Sequence, residues 1–280
     1  MLLKTSNGGS QWLKLCQLDS VFYEQIQFVT PKIGYICGGL GEVLKSTDGG
    51  LTWNKMSIPH PNPNVDITLI YAMFFKNEND GFIGGGHLNY LRKNGKKYVN
   101  WEDGQYFIIH TTDGGISWEN IDRSPPVMLY TFQFLNDSIG FVSGDNSIYK
   151  TSDGGKNWQI LFMDSTESIG GIRGLWFMNS EHGYAASWNG YVLKTIDGGR
   201  TWGRKHITRS PLRSMCFVNE TVGYVVGNAG ETMSPIFITN DGVNWKTVMT
   251  NYSDLHRIQK SSTFIWICGK EGAILKSKIP

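Results

Sequence analysis

The sequence predicts an all-β fold, a β-propeller of four-stranded antiparallel blades, on three observations. A short turn motif recurs six times along the 280 residues. A second pattern, an aromatic residue followed by Gly-aromatic, lies ahead of the turn in each complete unit. Alternating apolar residues fill the segments between turns, and helical periodicity is missing. Self-similarity at a period near forty residues is the signature of propeller blades.

The clearest turn reads Lys-Thr-Ser-Asp-Gly-Gly-Lys-Asn-Trp, centred on Asp153 and ending at Trp158. Copies centred on Asp48, Asp113 and Asp197 end at Trp53, Trp118 and Trp202. Two are degenerate: Asn7 replaces the acid in the copy ending at Trp12, and the copy around Asp241 is one residue shorter, ending at Trp245. Successive centres lie 41, 65, 40, 44 and 44 residues apart, so one interval carries an insertion and the others fit a four-strand blade. An Asp or Asn before Gly-Gly lets its side chain bond its own turn while the glycines take positive φ. The Ser or Thr ahead of it adds turn hydrogen bonds, and the Trp beyond opens the next strand as an apolar wedge. The motif is expected to be a clip between the third and fourth strands of each blade.

Each unit then supplies strands A, B and C, the clip, and an outer strand D. Strand B carries the Gly-aromatic pairs Gly34-Tyr35, Gly140-Phe141, Gly183-Tyr184 and Gly223-Tyr224. Residues 255–277 stop before a clip, and the N-terminus has a clip and a D strand but no A or B. The two halves are expected to share one blade and close a six-bladed ring, residues 1–280 forming a single domain. The segment 2–5 competes with 274–277 for one strand C position, which makes seven blades the alternative.

Composition narrows the function. Glycine at 34, tryptophan at 10 and only 18% charged residues suit short strands and tight turns. A net charge of +2 argues for neither nucleic acid nor a membrane surface. Cys16, Cys37, Cys216 and Cys268 lack the spacing of a zinc or redox motif, so no metal or cofactor is expected, and three of them fall in apolar runs that suit buried thiols. No apolar run approaches the length a bilayer needs. The first residues lack a signal peptide's apolar stretch. The compartment stays open: cytoplasmic, or extracytoplasmic if a leader was removed.

The repeat resembles the Asp-box, or BNR, repeat. With Gly-aromatic in strand B and Asp-Gly-Gly-x-x-Trp in the clip, the whole chain is similar to the photosystem II stability and assembly factor family and its relatives in non-photosynthetic bacteria. Sialidases, xyloglucanases and sortilin-type receptors share the clip, so the resemblance speaks to fold more than to function. The family implies arginines near the start of the inner strands, forming a basic patch at one end of the propeller. Four residues before the strand A aromatic, this sequence has Arg173 and Arg213, with Tyr130, Tyr71 and Glu24 in the earlier units. Arg257 fits the last unit if its A–B turn is two residues shorter. The family's arginine ring is therefore incomplete here.

The D–A and B–C loops leave a blade on the side of these arginines, opposite the clips. Three long loops fall there: 57–68 with three prolines, 87–105, and 231–235. The second contains Arg92, Lys93, Lys96, Lys97 and Trp101, and its Asn94-Gly95 is a type I′ hairpin signal, so a protruding two-stranded flap is expected. The expected function is a monomeric, non-catalytic scaffold that binds a protein or peptide through an acidic or carboxylate group, since arginine's planar fork suits carboxylates. Against it stands the plain alternative that each arginine pairs with a local acid.

The competing class is a glycoside hydrolase with carbohydrate as ligand. A sialidase-like site would use an arginine triad with tyrosine and glutamate, and Arg173, Arg213, Arg257, Tyr71, Tyr130 and Glu24 superficially supply the parts. The Phe-Arg-Ile-Pro-type segment of such enzymes is absent, and the arginines sit on consecutive units. For a two-carboxylate enzyme the loop acids Glu24, Asp66, Glu102 and Asp103 are the candidates. His87, His182, His206 and His256 fall in different units and read as surface or channel residues.

Overall fold

A computed structural model of the chain describes residues 2–16, 22–59, 65–121, 125–228 and 233–279. The chain divides into two compact units, Met1–Leu129 and Tyr130–Pro280. Among the described residues the only helical element is one 3-10 turn, Lys270–Gly272.

Every sheet is antiparallel and its strands follow sequence order, the arrangement of a propeller blade. The first unit opens with a two-stranded sheet, Leu2–Lys4 with Leu13–Cys16. A four-stranded sheet follows, Tyr23–Phe28, Gly34–Gly38, Val43–Ser46 and Asn54–Lys55. The next has Ile67–Phe75, Gly81–Lys93, Lys96–Thr111 and Glu119–Asn120. The third four-stranded sheet, from Leu129–Phe134 to Gln159–Met163, leads into the second unit. There the sheets beginning at Ile172–Phe177 and Leu212–Phe217 are complete. The last, Leu255–Lys260, Phe264–Gly269 and Ile274–Lys278, has three strands. The segments 2–5 and 274–277, which compete for one position in the six-blade reading, thus take the same position in two different sheets.

The clips form as the turn chemistry requires. Asp48 Oδ1 accepts the backbone N–H groups of Leu51 and Thr52 at 2.9 Å each, and its Oδ2 accepts the Thr52 hydroxyl at 2.6 Å. Ser46 Oγ donates to Asp48 at 2.8 Å and accepts the N–H of Gly50 at 2.8 Å. Gly49 and Gly50 take φ of 78° and 86°, a region that costs glycine little. Asp113, Asp153, Asp197 and Asp241 repeat the arrangement. Asn7 does so with a neutral amide oxygen, accepting Gln11 N–H at 2.9 Å.

Packing between neighbouring sheets explains the other half of the motif. The strand B aromatic of one sheet stacks on the strand A phenylalanine of the next. Tyr35 and Phe75 lie 3.5 Å apart at 5°, Phe141 and Phe177 3.6 Å apart at 3°, and Tyr184 and Phe217 4.1 Å apart. The clip tryptophan meets that phenylalanine edge-on, as Trp202 meets Phe177 at 5.9 Å and 87°. The strand C lysine reaches across as well. Lys45 donates to the carbonyl of Gly114 at 2.9 Å, in the following clip, and Lys4 likewise to Gly49 at 3.0 Å. The clips are fasteners between sheets as well as hairpin turns.

Candidate functional site

The second unit brings together a chain of side chains that starts from a backbone irregularity. In the sheet of Ile172–Phe177 the pairing slips between Ile172 and Gly174, leaving Arg173 as the extra residue. The sheet of Leu212–Phe217 slips in the same way around Arg213. Such a bulge turns one side chain out of the alternating pattern, a device common beside binding sites. In the first unit Glu24 and Tyr71 occupy the same bulge. Tyr130 is the second residue of its strand, as Arg173 and Arg213 are of theirs.

The last sheet corrects the sequence alignment by one residue. Leu255 pairs Gly269 and Arg257 pairs Cys268, so the extra residue is His256. Arg257 takes the place that Ser214 and Gly174 hold in their sheets. The A–B turn is shorter than in the other sheets and the strand ends on Lys260 rather than on an aromatic, so the count from spacing stops one residue short of the bulge, which stays at the second strand residue.

Four of these positions and three residues that sequence reasoning missed form one continuous line. Tyr130 Oη donates to Asp145 Oδ1 at 2.5 Å. The Arg173 guanidinium lies over the Tyr130 ring, 4.1 Å from its centroid, and 4.9 Å from the Trp188 ring. Arg213 approaches the same indole at 5.1 Å. Arg213 Nε lies 3.2 Å from Asp254 Oδ1, an ionic contact that lacks hydrogen-bond alignment. His256 Nε2 meets the other oxygen, Oδ2, at 3.1 Å. Asp254 has φ of 52°, a left-handed conformation that aspartate tolerates better than most residues.

Burial raises the Asp145 carboxyl above its ordinary range, against the lowering effect of the Tyr130 hydrogen bond and the Arg173 charge. Asp145 and Trp188 share a structural position, the residue after strand B. Trp188 N–H donates to Gly171 O at 2.8 Å, and Asp145 bridges Gly171. A scan of strand ends for polar and aromatic residues, rather than of strand starts alone, would have found both.

The remaining predicted residues lie elsewhere. The flap is present, with Asn94 at φ 53° and Gly95 at 74°, the type I′ turn expected. It carries Arg92, Lys93, Lys96, Lys97 and Trp101 in the first unit. Residues 60–64 of the proline loop and 231–232 of the third loop lie outside the described residues. His87 is not a surface residue: it sits within strand Gly81–Lys93, 2% exposed, stacked on Phe107 at 4.7 Å with Nδ1 2.9 Å from Thr68 Oγ1. It faces a cavity of about 270 Å³ shared with Met56, Ile58 and Thr68. Among the loop acids, Asp66 accepts the backbone N–H of Tyr90 at 2.8 Å and Asp103 the side chain of Asn89 at 3.3 Å.

No protein-family model matches the chain. It is 26% identical over 151 residues to the photosystem II assembly lipoprotein Ycf48 of Synechococcus sp. (strain CC9902), covering 53% of this chain and 39% of that one. It is 22% identical over 282 residues to Ycf48 of Prochlorococcus marinus, covering 97% and 76%. The chain is homologous to photosystem II assembly factors. It is also 24% identical over 141 residues to the chloroplastic stability/assembly factor HCF136 of Arabidopsis thaliana, of which this homologue covers 30%. The homologue therefore spans well under half the length of several curated relatives it matches.

Among solved structures, YCF48 bound to D1 peptide superposes with a TM-score of 0.67 at 22% identity, covering 94% of this chain and 80% of that one. YCF48 from Cyanidioschyzon merolae gives 0.61 at 17%, covering 95% and 98%. An ancestral GH74 enzyme, AFV00434, gives 0.67 at 15%, covering 91% and 36%. The fold is a β-propeller.

Proposed function

We propose that this protein is a non-catalytic assembly scaffold that holds a peptide segment of a partner protein at the Arg173–Trp188–Arg213 cluster, through a carboxylate of that segment. The carrying observation is the placement of two guanidiniums about one indole, within 4.9 and 5.1 Å of it. Two guanidiniums gathered at one indole concentrate planar, forked N–H donors of the kind a carboxylate accepts. Two like charges so placed repel, and a shared anion relieves the repulsion. Homology to assembly factors, and a solved YCF48 that carries a D1 peptide, support the peptide as ligand class. Asp254 balances Arg213 in the free protein, so a ligand carboxylate would compete with Asp254 for it.

Calorimetry with an acidic peptide ending in a free carboxylate tests the reading. Affinity should fall at least tenfold in an Arg173→Ala, Arg213→Ala double variant and weaken steeply with salt. Unchanged affinity in that variant rejects it.

A second reading, a sialidase-like glycosidase, draws on one observation: Tyr130 Oη lies 2.5 Å from the half-buried Asp145 carboxylate, the tyrosine–carboxylate pairing such a nucleophile needs. The Arg173 guanidinium over the Tyr130 ring speaks for a structural role of that tyrosine. Turnover of chromogenic sialosides, abolished by Tyr130→Phe, would favour the enzyme.

A further inference from the structure

The flap outruns the sheet that bears it. Strand Gly81–Lys93 last pairs with its inner neighbour at Ile67↔Leu88, and Glu119–Asn120 reaches only His110 and Ile109 of strand Lys96–Thr111. From Asn89↔Asn100 to Lys93↔Lys96 the two strands pair, among the described residues, only with each other. They form a bare two-stranded ribbon reaching about 15–20 Å past the sheet. A ribbon of this kind is marginal on its own in water.

Its cross-strand pairs are unusual for a ribbon in solvent. Arg92 faces Lys97 and Lys93 faces Lys96, and like charges directly opposite destabilise a hairpin. No acidic residue occurs from 90 to 101; Asp66, Glu102 and Asp103 stay at the base. One step behind the cations Leu91 faces Tyr98, 53% and 51% exposed, on the same side as Lys93 and Lys96, and Trp101 is 45% exposed. Lys97 Nζ lies over the Tyr90 ring at 4.9 Å.

We propose that the flap is a docking element that settles tip-first on an anionic lipid bilayer. Four cations crowd the hairpin tip, and a planar anionic surface can face all four together. That surface also removes the cost of the two like-charge pairs. The lysine stems allow their amines to stay among headgroups while Leu91 and the aromatic rings enter the interface, where Tyr and Trp are favoured. Each cation near an anionic leaflet strengthens binding about fivefold.

Vesicle flotation of the full chain tests this, comparing phosphatidylcholine alone with phosphatidylcholine mixed with phosphatidylglycerol. Flotation is expected only with the anionic vesicles. It should drop about fivefold for each of Arg92, Lys93, Lys96 and Lys97 changed to serine. A Leu91→Ser, Tyr98→Ser variant should lose the part of the binding that survives high salt. These side chains are exposed, so far-UV circular dichroism should match the parent chain. The Arg173→Ala, Arg213→Ala variant should float unchanged, which separates this surface from the peptide site. Failure to float with anionic vesicles, or flotation indifferent to the four serines, overturns the proposal. Tip-dependent binding to an RNA oligomer or to polyglutamate without vesicle binding transfers the surface to that partner and equally overturns it.

Discussion

Arg173 lies over the face of Tyr130 at 4.1 Å, and the hydroxyl of that tyrosine donates to Asp145 at 2.5 Å. One side chain thus supports a cation with its ring and a half-buried carboxylate with its oxygen. Tyr130→Phe keeps the ring and removes the donor. The variant should be destabilised by about 1–3 kcal/mol at a pH where Asp145 is ionised, because the carboxylate loses this donor. Asp145 has a raised native pKa, so its contribution to stability is fully present below its unfolded pKa and is lost as pH rises through the native one. The penalty of Tyr130→Phe should therefore shrink in acid. Urea unfolding of both chains at acid and neutral pH measures this, and an equal penalty at both would show that Asp145 is not the group affected.

Trp188 is the wall that Arg173 and Arg213 share. Trp188→Ala should cost about tenfold in affinity for an acidic peptide, from two weakened cation–π contacts. Trp188→Phe should recover part of it, because a smaller ring still offers a face. If both variants bind as the parent does, the indole does not orient the guanidiniums.

The clip carboxylates set the behaviour in acid. Hydrogen bonds from Thr52 hold Asp48 at about 2, and Asp197 sits at about 2 through Thr201; both start from 3.8. Asp153 is also held at about 2, where donors from Asn157 and Thr151 outweigh its desolvation. A depressed native pKa stabilises above the unfolded value, and that stabilisation is lost as pH falls through the native one. The clips should weaken together between about pH 4 and pH 2. Asn7 makes the same backbone contact without a charge. Asp197→Asn should therefore flatten the acid dependence of its clip while Asp197→Ala opens it at every pH. Hydrogen exchange at Thr201 N–H across this range reads the difference.

The repeats were legible because each turn is local: the donors and acceptors of a clip lie within four residues of the aspartate. The flap was legible for the same reason, through Asn94-Gly95. Arg173 and Arg213 could be placed because strand spacing is constant in their sheets. Arg257 could not, because the bulge in its sheet is set by pairing with Cys268 rather than by distance from an aromatic. Asp145 lies 28 residues from Arg173, Trp188 lies 15 and 25 residues from Arg173 and Arg213, and Asp254 lies 41 residues from Arg213, and no local pattern marks such contacts. His87, which the spacing places at the start of a loop, is interior because its strand continues unbroken into the flap.

Gln133, which no sequence motif marks, clamps two neighbouring sheets. Its Nε2 donates to Phe177 O at 2.7 Å, and its Oε1 accepts Phe177 N–H at 2.7 Å. Gln27 holds Phe75 in the same way at 2.8 and 2.9 Å. Gln133→Ala leaves a backbone donor and a backbone acceptor without these partners, which should cost about 2–4 kcal/mol. Gln133→Glu separates the two halves of the clamp. Ionised, the carboxylate still accepts from Phe177 N–H but sets an oxygen against the Phe177 carbonyl. Protonated, it donates to that carbonyl and restores the clamp. Its native pKa should therefore rise, so the variant should approach the parent in acid and fall behind as pH increases. Thermal unfolding of the three chains across pH decides it: a pH-independent deficit in Gln133→Glu would mean that the Phe177 carbonyl does not need the amide's proton.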